Sequence, residues 1–347
     1  MHKYNFYISF NDKLNTAATK AIEDCKQILR KCGYEDLTIS ITTKTRKLYL
    51  WYVLKSFVNL LFSVQPQSIV AVQYPILSGN AFFKYIISLL RFKKVKFFCI
   101  IHDLDELRYN ANIDDKSSKE VVLLNSYDFI IVHNEVMKRW LLQKGVKVPM
   151  TALQIFDYLS NYRKSVNLLD TKENLKSLVF AGNLAKSKFI YQLGKLDNWH
   201  CNLYGPGFLH DNEDGMKNVF WKGSLSANKI LNRMEGAFGL IWDGDNIEKL
   251  DDKYGNYLKY NNPHKLSLYL AAGLPVIAPK ESAISQFILQ NNLGILINNI
   301  LELKDIAIDA TQYNLYKTSV RGISDQVKKG QYFEDAIVKA EEFLQTV

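Results

Sequence analysis

Residues 261–277 read Asn-Asn-Pro-His-Lys-Leu-Ser-Leu-Tyr-Leu-Ala-Ala-Gly-Leu-Pro-Val-Ile. Pro263 suits the first turn of a helix, where its missing N–H is no loss. The spacing predicts a helix over 263–272 closed by Gly273 as its C-cap, then a strand over 275–278. Upstream, strands are expected over 178–181, 200–204, 219–221 and 237–242, with a helix over 228–235. Downstream, a helix over 284–291 and a strand over 294–297 continue the alternation. Short, continuously apolar strands separated by helices mean a parallel sheet covered on both faces.

The same alternation fills the first half. Strands are expected over 4–9, 37–41, 68–72, 95–101 and 129–132, and helices over 16–32, 48–62, 80–90 and 120–125. The polar run 161–174, NYRKSVNLLDTKEN, reads as a linker, and 325–344 as one uninterrupted terminal helix. The chain has 347 residues, more than one core usually holds, so two open α/β units are expected with a ligand cleft between them. The low glycine and proline counts, 17 and 7, exclude collagen-like and low-complexity architectures. Cys25, Cys32, Cys99 and Cys201 are widely spaced and read as buried thiols, not as a disulfide framework or a zinc site. The opening MHKYNFYISFND has no uninterrupted apolar run, and no stretch reads as a membrane span, so a cytoplasmic location is expected.

Ligands of open parallel sheets bind at the carboxyl ends of strands. Glycines stand at three such ends: Gly182 before Asn183, Gly205 with Gly207, and Gly223 before Ser224. Glycine lets backbone approach a flat ring or a phosphate closely. The N–H groups of the first turn after Pro263 make an anion site, and Lys265 adds a cation beside it. A diphosphate is the expected guest. The plainer alternative for this segment by itself is a capped surface helix with a solvated lysine.

PHKLSLYLAAGLPVI resembles the donor-binding helix and following strand of GT-B glycosyltransferases. Phe180 to Phe189 (FAGNLAKSKF), Tyr204-Gly-Pro206, Gly239 to Asp243 (GLIWD) and Asn261 to Lys265 together resemble a narrower group. That group contains bacterial β-1,6-galactofuranosyltransferases of surface-polysaccharide synthesis and is related to glucosyltransferases of serine-rich adhesins. Gln73-Tyr74-Pro75, Ile101 to Leu104 with Arg108, and His133-Asn134 with Met137 extend the similarity over most of the chain. The resemblance implies two Rossmann-like domains facing a central cleft. Residues 1–157, joined by the helix 326–347, would bind the acceptor, and 158–325 the nucleotide sugar. It implies donor contacts at Gly182, Asn183, Lys186, Tyr204, Gly205, Gly223, Ser224, Asp243, Asn261, His264, Lys265 and Tyr269, with Lys265 on the diphosphate. Many retaining GT-B enzymes carry Glu-x7-Glu before this helix, but 251–264 contains no Glu, so their mechanism does not transfer and the ribose partner is unassigned.

Transfer needs a base for the acceptor hydroxyl and positive charge for the leaving phosphates. His102-Asp103, at the end of a central strand of the first half, fits the first need, with Asp103 favoured as base and His102 orienting it or contacting sugar hydroxyls. His133-Asn134 reads as the cap of the following helix. Asp243-Gly-Asp245 and Asp103-Leu-Asp105 look like metal-binding DxD motifs, but a lysine and a helix terminus make a metal unnecessary, so no cofactor is expected.

The net charge of +9 lies wholly on residues 1–155, which hold 22 Lys+Arg against 13 Asp+Glu. With no RNA- or DNA-binding motif, nucleic acid is not expected. The basic apolar stretch 44–62 and the cluster Arg91, Lys93, Lys94 and Lys96 fit an anionic membrane surface, or else a buried helix and solubilising charge. The expected partners are a UDP-sugar donor and a glycan or lipid-linked glycan acceptor. The number of subunits stays open, a homo-oligomer included. The function expected is hexosyl transfer, galactofuranose first, onto a surface polysaccharide. Hexosyl transfer to a glycoprotein and a non-catalytic nucleotide-sugar-binding subunit are the alternatives.

Overall fold

Residues 1–10, 17–41, 46–76, 80–109, 118–161, 175–209 and 216–346 are described by a computed structural model. They form two compact units, Met1–Leu153 with Tyr332–Val347, and Gln154–Gln331. The expected linker 161–174 lies, from 162 onward, outside the described residues.

The first unit alternates β1 (Lys3–Phe10), α1 (Ala17–Lys31), β2 (Glu35–Ile41), α2 (Arg46–Ser63), β3 (Ile69–Tyr74), α3 (Asn80–Arg91) and β4 (Lys96–Ile101). Then follow α4 (Asp105–Tyr109), α5 (Lys119–Leu124), β5 (Phe129–Val132), α6 (Glu135–Lys144) and β6 (Met150–Ala152). The strands pair in parallel in the order β2-β1-β3-β4-β5-β6. All six residues of β3 are buried, as a strand covered on both faces requires. Phe6 stacks on Phe83 of α3 with ring centroids 5.0 Å apart, joining sheet to helix in one core.

In the second unit β7 (Ser177–Ala181) and β8 (His200–Tyr204) are joined through short 3-10 turns, and β9 (Val219–Trp221) follows. Then come α7 (Ala227–Arg233), β10 (Phe238–Leu240), α8 (Lys253–Tyr257), α9 (His264–Ala271), β11 (Val276–Pro279), α10 (Ser285–Gln290), β12 (Gly294–Ile297) and α11 (Ala310–Lys329). Its six strands are parallel in the order β12-β11-β10-β7-β8-β9. Tyr313 of α11 packs its ring at 5.3 Å on Phe238 and donates its hydroxyl to the Ala237 carbonyl at 3.2 Å, fixing α11 beneath the sheet.

The terminal helix is not continuous. Gly330, at φ +89°, closes α11, and α12 (Gln331–Thr346) starts afresh. The apolar period runs through this glycine unbroken, so periodicity alone reads one helix where the left-handed residue makes two. Helix α12 belongs to the first unit. There Glu341 accepts from Lys3 Nζ at 2.7 Å and from Tyr34 Oη at 2.8 Å, and Phe343 meets the Phe129 ring at 5.2 Å. Among the described residues no helix is long and apolar enough to cross a membrane.

Candidate active site

In the second sheet the carboxyl ends of β7, β8 and β9 are clasped together by backbone hydrogen bonds, and Trp221 Nε1 donates to the Gly205 carbonyl at 3.0 Å. Gly182 N donates to Tyr204 O at 3.0 Å and Gly205 N to Gly223 O at 3.0 Å. Gly205 sits at φ +141°, and a Cβ there would lie 1.8 Å from the Gly182 carbonyl oxygen. No other residue fits this junction.

Lys265, in the first turn of α9, lies across the same edge. Its Nζ is 2.6 Å from Asp243 Oδ1, 3.3 Å from the Trp242 carbonyl and 4.8 Å from the Phe180 ring centre. A Cβ on Gly182 would stand 3.0 Å from Lys265 Cε, so the glycine is what admits the lysine stem. Helix α9 is anchored from below. Tyr269 is fully buried, accepts from Ala181 N at 2.8 Å and spreads its ring over Gly239, where a Cβ would come within 2.2 Å of it. A lysine and a helix N-terminus beside this half-buried peptide edge form a fixed site suited to phosphate oxygens.

In the first unit the corresponding strand ends carry Gln73-Tyr74 at the end of β3, His102-Asp103 after β4 and His133-Asn134 after β5. His102 N donates to Tyr74 O at 2.8 Å, joining the first two turns. Glu120 of α5 ties them further. Its Oε1 accepts from Tyr74 Oη at 2.6 Å and Asp105 N at 3.2 Å, and its Oε2 accepts from Glu106 N at 3.1 Å. A carboxylate on the first N–H groups of α4 offsets the charge of that helix end. Burial pushes the Glu120 carboxyl above its ordinary range, against these bonds, which hold it down. Asp103 Oδ2 receives Arg108 Nη1 at 2.8 Å.

The two histidines differ in setting. His102 Nε2 lies 3.0 Å from Gln73 Oε1, and burial of the ring lowers its pKa to about 4. His133 is 1% exposed, with Nε2 3.1 Å from the Ile101 carbonyl. Burial, with His102 nearby, lowers its pKa to about 3. Both are therefore neutral at pH 7.

Models of the glucosyltransferase 3-like N-terminal and C-terminal domains match residues 5–155 and 178–340. The β-1,6-galactofuranosyltransferase WbbI of Escherichia coli K12 is 34% identical over 74% of this chain and 74% of its own. The chain belongs to the glucosyltransferase 3-like family. It is a glycosyltransferase. Glucosyltransferase 3 of Streptococcus gordonii is 26% identical over 81% of each chain. Among solved structures, WaaG, a glycosyltransferase involved in lipopolysaccharide biosynthesis, matches with TM-score 0.53 at 11% identity over 99% of both chains. TarM matches with TM-score 0.53 at 17% identity, over 84% of this chain and 58% of its own. The two parallel Rossmann-like sheets are those of the GT-B fold.

Within this glycosyltransferase the residues singled out by sequence separate into groups. Gly182, Gly205, Gly223, Asp243 and Lys265 come together in one place. Asn183 caps the short turn after β7 by accepting from Ala185 N at 3.1 Å, and Lys186, exposed beyond it, lies 5.9 Å over the Tyr254 ring. Ser224 is exposed next to Gly223. His264 stacks on Phe156 at 4.4 Å, and Asn261 precedes it, half-buried.

Two tyrosines turn their hydroxyls to backbone. Tyr204 Oη donates to Arg233 O at 2.9 Å and accepts from Glu235 N at 3.1 Å, and Tyr269 is spent on Ala181. Both are buried, so they shape the site through the glycines next to them and offer no hydroxyl to a donor. Three contributors were not visible in the sequence: Glu120, Gln73 as the partner of His102, and Asp252. Asp252 Oδ1 caps α8 at Tyr254 N and Gly255 N, and its Oδ2 accepts from Asp245 N at 2.9 Å, fixing the loop that carries Asp243. A capping Asp before a short helical run is the one signal that marks Asp252 locally.

Proposed function

We propose that the chain transfers a hexosyl group from a UDP-sugar, galactofuranose from UDP-galactofuranose first, to a hydroxyl of a surface-polysaccharide acceptor. The observation that carries the reading is Lys265 at the start of α9, lying against Gly182 beside the Gly182–Gly205–Gly223 edge. A diphosphate seated there meets the lysine, the helix terminus and, on the exposed side, Lys186. In the transfer the acceptor oxygen bonds to C1 of the sugar as the bond from C1 to the phosphate oxygen breaks. UDP leaves with that electron pair, and the hydroxyl proton passes to the His102–Asp103 pair.

The charge on the leaving group is met by side chains and helix, so we infer that no metal is needed. The DxD-like carboxylates support this: Asp243 pairs with Lys265 at 2.6 Å, Asp245 faces Lys188 at 3.9 Å and Asp103 pairs with Arg108 at 2.8 Å.

The galactofuranosyl reading follows the WbbI relative, and glucosyl transfer follows the streptococcal ones. A lipid-linked acceptor is favoured by one surface. Helix α2 exposes Trp51, Leu54, Val58 and Phe62 along one stripe, and α3 exposes Tyr85 and, just past its end, Phe92. Phe62 and Phe92 are 83% and 88% exposed. Lys93 donates to the Leu61 and Val64 carbonyls, bringing those two helix ends together. Lys55 and Lys84 stand over the Trp51 and Tyr85 rings at 5.2 and 5.0 Å, adding cations to the apolar stripes. Such a face suits the interface of an anionic leaflet.

The deciding assay is release of UDP from a panel of UDP-sugars with and without glycan acceptors. Acceptor-dependent release from one sugar supports the reading and names the donor. UDP binding without release from any of them identifies a binding subunit instead.

A further inference from the structure

Inside the first sheet a row of polar side chains crosses four neighbouring strands. Asn5 of β1 is fully buried and Gln73 of β3 is 4% exposed, in a sheet otherwise filled by aromatic and β-branched residues. Asn5 Nδ2 donates to Asp36 Oδ1 of β2 at 3.1 Å. Gln73 Nε2 donates to Asn5 Oδ1 at 3.2 Å, and Gln73 Oε1 faces His102 Nε2, beyond β4, at 3.0 Å. At the far end Arg30 holds Asp36 Oδ2 through Nε at 2.7 Å and Nη2 at 2.5 Å.

The direction of this row is forced from one end. An ionised carboxylate only accepts, so Asp36 requires the amide nitrogen of Asn5. Asn5 is then left with its oxygen toward Gln73, which must answer with nitrogen and turn its own oxygen to His102. Flipping both amides would set the Asn5 oxygen against the Asp36 carboxylate and leave both buried amides mispaired. An oxygen at His102 Nε2 requires a proton there. We propose that Asp36, Asn5 and Gln73 form a one-way relay that holds neutral His102 as its Nε2–H tautomer and fixes its ring at the end of β4.

The inference deepens the transferase reading and rests on it for its use: the relay sets the ring of His102 within the His102–Asp103 pair that receives the hydroxyl proton. Asn5 and Gln73 act through His102 as positioning residues.

The test is long-range proton–nitrogen NMR of the full chain with 15N-labelled histidine at pH 7.5, the His102 signal assigned by its loss in His102→Asn. The wild type is expected to show His102 protonated at Nε2 alone. Gln73→Leu, which removes the acceptor, should give a mixed or reversed tautomer. It should also lower the turnover number about tenfold to a hundredfold while the donor KM stays within twofold. Gln73→Glu keeps an acceptor oxygen toward His102 but sets its other oxygen against Asn5 Oδ1, so it should keep the Nε2–H signal at a cost in stability. A wild type protonated at Nδ1 overturns the relay. So does a Gln73→Leu variant whose tautomer and turnover match the wild type. The tautomer is read without any substrate, so a chain that transfers no sugar but holds His102 as Nε2–H refutes the transferase reading and leaves the relay standing.

Discussion

Lys265→Met tests the donor site most directly. Methionine keeps the unbranched stem beside Gly182 and removes only the charged end. Lys265 is 16% exposed and Asp243 27%, so the pair they form at 2.6 Å is partly shielded from water. Loss of one charge-assisted hydrogen bond to a diphosphate costs about 1.5–3 kcal/mol. That corresponds to roughly a tenfold to hundredfold weaker UDP complex. The structure adds a second effect of the same sign, because the variant leaves the Asp243 carboxylate uncompensated at the mouth of an anion site. The double variant Lys265→Met/Asp243→Asn should therefore bind UDP more tightly than Lys265→Met alone, and Asp243→Asn alone should bind close to wild type. Titration calorimetry with UDP gives all four corners of this cycle. Unfolding in denaturant should show the single variant within about 1 kcal/mol of wild type, since a partly exposed pair contributes little to stability. Equal UDP affinity in wild type and Lys265→Met would refute the assignment.

Gly205→Ala, whose Cβ would stand 1.8 Å from Gly182 O, should force the clasped loops apart. It should cost about 2–4 kcal/mol of stability by denaturant unfolding, with UDP affinity falling in step. Stability should also decline in acid. His102 and His133 have pKa values lowered to about 4 and 3, so between pH 6.5 and those values the unfolded chain takes up protons that the folded chain refuses. From pH 6.5 down to pH 5 each histidine contributes a loss of about 2 kcal/mol. The variant His133→Gln should remove roughly half of that slope. EDTA should leave transfer intact, and an activity abolished by EDTA and restored by Mg²⁺ or Mn²⁺ would return Asp243 and Asp245 to metal binding. Vesicle association should be salt-sensitive and should weaken with Lys55, Lys84 and Lys94 reversed to Glu, or with Phe62 and Phe92 changed to Ser, while UDP binding is spared. Lys93 and Lys96 are poor choices for that reversal, because they hold the carbonyls of Leu61 and Leu344.

The sequence by itself determined what depends on neighbours a few residues apart. The alternation of apolar strands and helices placed both parallel sheets. Strand ends ran into Gly182, Gly205 and Gly223, and Pro263 with Lys265 marked the start of α9. Asn134 was legible as a cap and does accept from Met137 N at 2.9 Å, since capping is a three-residue interaction. What only the tertiary structure decided is which distant groups meet. Asp243 and Lys265 are brought together by the parallel pairing of β10 with β7 and β11, which no local period encodes. Tyr204 and Tyr269 looked like ligand contacts by position, but their inward direction follows from sheet packing, which turned both hydroxyls to backbone. Gly330 broke a helix whose apolar period continued through it, because a single left-handed residue redirects the chain without altering the pattern of its side chains. The polar row from Asp36 to His102 exists only because four strands lie side by side in register. Its members are separated in sequence by helices, and their order in space is set by the sheet, not by the chain.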